Sequence, residues 1–184
     1  MATVFIIHGV EGHPEENWFP WLKAELEKRG NKVIVPQFPT PEGQTLENWL
    51  AILKTHEADL TPETILVGHS LGGSFILNVL ERYPVKAAFL VACVFGVLGN
   101  AFDEGMKTFA QHEFDWPTLL ANCPHFEIFH SDNDPYIKLE KAEDLSRHLK
   151  TTVTLVPGAA HFNASAGFTR FELLLEKISG DLES

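Results

Sequence analysis

Short apolar runs recur along the chain, and the first, Val4 to Ile7, shows no polar alternation. Between them lie longer stretches whose apolar residues return every three or four positions. The runs are Val4 to Ile7, Val33 to Val35, Thr64 to Val67, Ala87 to Ala92, Phe126 to Phe129 and Val153 to Val156. A strand apolar to both sides is covered on both faces, as in a parallel sheet. Asn17 to Arg29 predicts a helix: Asn17 is the expected cap, Pro20 suits the first turn, and Trp18, Trp21, Leu22 and Leu26 share a face ahead of Gly30. Thr45 to Asp59, Leu71 to Tyr83, Ile137 to Leu149 and Phe168 to Ile178 carry the same period, and Pro84 stops the helix that begins at Leu71.

Strands and helices in alternation define an α/β fold: a six-stranded parallel sheet with helices on both faces. Ligands in such folds bind beyond the carboxyl ends of the strands. The loops after Ile7, Val67, Phe129 and Val156 therefore share one rim. The stretch 94–122 breaks the rhythm with Gly96, Gly99 and Gly105 and several phenylalanines. It is expected to form a small lid segment, with Phe95, Phe102 and Phe109 either lining an apolar pocket or packing a short helix onto the sheet edge. At 184 residues the chain reads as a single domain, 1–184.

Composition narrows the function classes. Apolar residues make up 45% and charged residues 21%, enough for a core that buries roughly 70% of the unfolded surface. The formal charge of −11 repels phosphate backbones, so no nucleic-acid partner is expected. Cys93, which reads as a buried small hydrophobe, and Cys123, at an expected helix end, are too few for a disulfide framework and read as free structural thiols of a reducing compartment. No apolar run reaches the ~18 residues a membrane span needs, and the first residues lack a basic leader. The expectation is a cytoplasmic protein with no membrane partner; a protein partner is not legible.

Gly68-His69-Ser70-Leu71-Gly72 is a G-x-S-x-G motif, which chance places in about one in twenty chains of this length. Here it lies between a strand-like and a helix-like stretch, as a nucleophile elbow must. Such a turn lifts the Ser70 hydroxyl off the sheet and aims helical N–H groups at a developing negative charge. A serine hydroxyl needs a base. Of nine histidines, His161 is best placed, because it follows the final strand on the same rim. The base needs an acid to fix its tautomer. Asp132 and Asp134 both follow the fifth strand, and spacing alone does not separate them. Asp134 is preferred because it sits further into the loop, with Pro135 stiffening the chain behind it. A calcium loop would also use these aspartates, but the glycine and distant glutamate it needs are missing. His8, His13 and His69 lack the spacing of a metal site. The order Ser70, Asp134, His161 is that of α/β-hydrolases. A second oxyanion donor is expected from His8-Gly9-Val10-Glu11-Gly12, where the likeness to α/β-hydrolases implies the Val10 N–H, with the Leu71 N–H as the first donor.

With these residues the chain resembles the α/β-hydrolase superfamily. More closely it resembles the small serine hydrolases grouped with retinoblastoma-binding protein nine and bacterial YdeN-type proteins. Ile6-Ile7-His8-Gly9, Trp18 to Lys23, the Ser70 motif, Asp132 to Pro135 and Gly158 to Phe162 carry the likeness over essentially the whole chain. The resemblance implies a compact sheet in the order 2-1-3-4-5-6 without the usual first two antiparallel strands. It also implies Asp134 as the acid, because Asp134 matches the family aspartate ahead of a Pro-aromatic-aliphatic stretch. Lys138 stands where many relatives have proline, and Glu11 beside the oxyanion loop is expected to face solvent. The L-x-C-x-E motif that binds retinoblastoma protein is absent from this sequence. The expected activity is hydrolysis of small carboxylic esters or amides through an acyl-enzyme, with no cofactor and no metal. The rival expectation is a binding protein that keeps the scaffold with little or no turnover.

Overall fold

In a computed structural model that describes residues 2–183, the apolar runs form β1 (Thr3–Ile7), β2 (Lys32–Ile34), β3 (Ile65–His69), β4 (Ala87–Val91), β5 (His125–His130) and β6 (Val153–Leu155). All six pair in parallel in the order β2-β1-β3-β4-β5-β6, as expected. The helices are α1 (Phe19–Lys28), α2 (Leu46–Lys54), α3 (Leu71–Leu80), α4 (Asp103–Ala110), α5 (Trp116–Asn122), α6 (Leu139–His148) and α7 (Glu172–Glu183).

The pleat divides the core in two. Val4, Ile6, Ile65, Val67, Ala87 and Phe89 pack under α1 and α7 with Trp18, Leu22, Leu174 and Ile178. Phe5, Ile7, Leu66, Ala88, Leu90 and Ile128 face the other way, under α2, α3 and α6. Because β1, β3 and β4 are used on both sides, their sequences show no polar alternation. β3, the strand that leads into Ser70, lies between β1 and β4, and all its residues are buried. Its end is therefore the best-supported point on the rim.

Three expectations need correction. Asn17 does not cap α1: it sits at φ 52° and its side chain accepts the Ala164 N–H at 2.8 Å, while α1 starts at Phe19 with no side-chain cap. The helix after Thr45 ends at Lys54, and Glu57–Asp59 forms a separate 3-10 turn. The last helix begins at Glu172; Phe168 precedes it and packs its ring on Phe162 and Phe171 at 5.1 and 5.6 Å. For Asn17 and Phe168 a bond or ring contact from elsewhere in the fold overrides the local signal. Thr45 does cap α2, accepting from the Asn48 N–H at 3.2 Å.

Candidate active site

The chain leaves β3 through Ser70 at φ 54° and ψ −119° and enters α3 at Leu71. A side chain in that region is strained, and close packing of small neighbours holds it there. A Cβ on Gly68 would lie 2.7 Å from the Gly72 and Gly73 backbone, and a Cβ on Gly72 would strike the Ile7 carbonyl oxygen. The Ser70 N–H donates to the Val91 carbonyl at 2.9 Å, and the Ser70 carbonyl accepts from the Gly73 and Val94 N–H groups. The hydroxyl is left to face the rim. The Val10 and Leu71 N–H groups donate to no other described residue.

Across the rim, His161 Nδ1–H donates to Asp134 Oδ2 at 2.8 Å. The Asp134 side chain is closed to solvent, and its other oxygen accepts the Tyr136 and Ile137 N–H groups at 2.8 and 3.0 Å. Burial by itself would push this carboxyl up. The bond to His161, the attraction of its ring and the two amides outweigh burial and hold the pKa below the ordinary aspartate value. Asp132, the competing carboxylate, accepts the Gly158 N–H at 2.8 Å instead.

The neighbouring histidines are held by backbone. His69 Nε2–H donates to the His161 carbonyl at 2.8 Å, and burial, followed by the nearby His161 ring, pushes its pKa down to about 3. His8 Nδ1–H donates to the Gly9 carbonyl at 2.9 Å, while its Nε2 accepts the Phe38 N–H at 3.0 Å. Burial lowers the His8 pKa as well. Both rings are neutral buttresses under the rim.

Ser70 and His161 line one cavity of about 320 Å³, together with Gly9 and Val10. No hydrogen bond joins Ser70 Oγ to His161 among the described residues. Such contacts often tighten only when substrate is bound. The facing wall comes from Leu98, Asn100, Phe102, Met106 and Tyr136. Of the three phenylalanines weighed for this pocket, only Phe102 lines it. Phe109 is fully buried in the core, and Phe95 packs against Phe114 and Trp116 instead. Glu11 is exposed, as expected, but also borders the cavity, as does half-buried Glu16, whose pKa is raised by burial. No lysine or arginine is among the lining residues.

A family model described as serine hydrolase matches residues 4–179. The chain belongs to the serine hydrolase family. This serine hydrolase is 28% identical to the hydrolase YdeN of Bacillus subtilis (strain 168) over 182 residues, covering 96% of this chain and 94% of YdeN. It is 26% identical to serine hydrolase RBBP9 of Rattus norvegicus over 146 residues, 79% of this chain and 77% of the rat protein. The crystal structure of the B. subtilis ydeN product superposes over 100% of both chains with a TM-score of 0.92 at 26% identity. Est1E of Butyrivibrio proteoclasticus shares the fold, with a TM-score of 0.69 at 20% identity over 97% of this chain and 90% of its own.

Reading the sequence missed Tyr136, whose ring meets the His161 ring edge-on at 5.0 Å, and Glu16. Tyr136 follows the Asp134-Pro135 pair directly, so an aromatic beside the acid loop was the available signal. Glu16 carried none, because only the turn after β1 brings it to the cavity.

Proposed function

We propose that this serine hydrolase cleaves small carboxylic esters or amides through a triad of Ser70, His161 and Asp134. One observation carries the reading: the Asp134–His161 pair opens on the same cavity as a serine in a left-handed elbow. Asp134 accepts from Nδ1–H, so the lone pair of the neutral ring sits on Nε2, the nitrogen that can take the Ser70 proton. Ser70 Oγ then bonds to the substrate carbonyl carbon, whose oxygen gathers negative charge. The Val10 and Leu71 N–H groups, both without other partners among the described residues, receive that charge; one such donor contributes about 3–4 kcal/mol to the transition state. His161 returns the proton to the leaving alcohol or amine. It next deprotonates a water that attacks the acyl-enzyme, and the acid leaves with Ser70 restored.

The cavity suits a small acyl or alcohol group under a lid drawn from 94–122. Its two carboxylates and lack of cations favour neutral or positively charged substrates over anionic ones. Buried Cys93 and Cys123, both free, agree with a cytoplasmic location. A fluorophosphonate probe is expected to label the wild type and not Ser70→Ala; equal labelling of both removes Ser70 as nucleophile. The rival reading is a binding protein on a hydrolase scaffold, which would take a ligand in the same cavity without turnover. A panel of short acyl esters separates the two: turnover between about pH 6 and 9 supports the enzyme, and none at any pH supports the binder.

A further inference from the structure

Four consecutive side chains after β5 each take hold of the loop that carries His161. Ser131 Oγ–H donates to the Ala160 carbonyl. Asp132 Oδ1 accepts the Gly158 N–H and Asn133 Oδ1 accepts the Ala160 N–H, each at 2.8 Å. Asp134 completes the series on the imidazole itself. The loop they hold is sharply bent. Ala160 and Phe162, on either side of His161, have φ of 47° and 54°, a region where the Cβ of an L-residue crowds the backbone. Sheet pairing ends before this point, with His130 opposite Leu155 and the Val156 N–H on the His130 carbonyl. Past it, the acid loop holds the histidine loop by side chains rather than by ladder bonds.

We propose that Ser131, Asp132 and Asn133 are positioning residues, which keep residues 158–160 on the strained path that delivers His161 to Asp134 and Ser70. The inference rests on the acyl-transfer reading given above. None of the three side chains lines the cavity, so they act on substrate only through His161. Asp132 and Asn133 are exposed, so neither fills the core. A loosened loop misplaces the base without altering the walls that bind substrate. The loss therefore falls on kcat and leaves KM alone. Each backbone amide needs an oxygen opposite it and no charge. Asp132→Asn and Asn133→Asp keep that oxygen; the alanine variants remove it.

The test is steady-state turnover of a short acyl ester, well below the thermal transition, alongside the rate of fluorophosphonate labelling. Asp132→Ala and Asn133→Ala are each expected to lose about tenfold in kcat with KM within about twofold. Labelling slows in parallel, and the conservative variants stay within about twofold of wild type. Wild-type kcat in the alanine variants overturns the proposal. So does a loss that appears in KM alone, or an equal loss in the conservative variants. If an alanine variant fails to fold, the conservative pair still decides, since a tenfold loss there contradicts a role for the oxygen alone. Wild-type labelling in the same preparation separates two failures. If the wild type does not label, the acyl-transfer reading falls; if every variant labels at the wild-type rate, only the positioning role does.

Discussion

The cavity has two unlike walls. The Ser70 and His161 wall grows from the carboxyl ends of β3 and β6, and its backbone is tied down atom by atom. His69 holds the His161 carbonyl, Trp18 Nε1–H donates to the Phe162 carbonyl at 3.1 Å, and Asp132 and Asn133 hold the amides of residues 158 and 160. The opposite wall comes from the loop before α4, from α4 itself and from Tyr136 of the acid loop. Its Phe102 and Tyr136 rings are 40% and 47% exposed and meet edge-on at 6.1 Å. It is fastened chiefly by the Asp103 carboxylate, which accepts the Leu98, Gly99 and Asn100 N–H groups. Those three bonds hold the Asp103 pKa below its ordinary value. On the proposed acyl-transfer reading, the difference is a division of labour. Positions where one added methyl meets backbone are set for chemistry, and positions where a whole ring faces solvent are free to set which substrate fits.

The sharpest way to break this division is to crowd the first wall. Gly72→Ala places a Cβ against the Ile7 and His8 carbonyl oxygens at the turn that carries Ser70. The expected cost is about 3 kcal/mol, read as a fall in Tm of about 6–10 °C, with turnover lost. A thermal midpoint and activity equal to wild type would show that the elbow is not held by that contact.

Acid probes the same wall more gently. His69 stays neutral in the fold down to about pH 3, whereas in the unfolded chain it takes a proton near ~6.5. Between those values the unfolded state binds more protons, so stability falls as pH drops. The loss from this group between about pH 7 and 5 is roughly 2 kcal/mol. Asp134 adds a further term in the same direction at lower pH. Its contribution is fully present above the unfolded aspartate value near ~3.9 and is lost as pH falls through its depressed folded value. Urea titrations at the two pH values measure the His69 effect, and His69→Gln should flatten it. An unchanged slope in that variant would assign the effect to other histidines.

The smallest effect belongs to the lid wall. Phe102→Ala removes a half-exposed ring that touches the cavity, so Tm should stay within about 1–2 °C of wild type. KM for short acyl esters should shift by about 3–10-fold while kcat holds. A collapse of kcat would erase the distinction between the walls.

These walls also differ in how far the sequence discloses them. The elbow is legible because Gly68 and Gly72 flank Ser70 where an apolar strand gives way to an apolar helix. The inner strands β1, β3 and β4 are legible because burial on both faces leaves unbroken apolar runs. Asn17 misleads because its partner, the Ala164 N–H, is far along the chain and no local rule reports it. Asp132 and Asp134 look alike in sequence because the choice between them depends on which one reaches the His161 ring and which reaches the Gly158 amide. The lid wall is the least legible. Phe95, Phe102 and Phe109 share one segment, but only the packing of α4 on α3 decides that Phe109 goes inward and Phe102 to the cavity.

The most direct test is a crystal structure of the wild-type protein after reaction with a fluorophosphonate. Phosphorus bonded to Ser70 Oγ is expected, with the phosphonyl oxygen about 3 Å from both the Val10 and Leu71 N–H groups and His161 still on Asp134. An adduct on another residue, or an oxygen turned away from those two amides, would contradict the account.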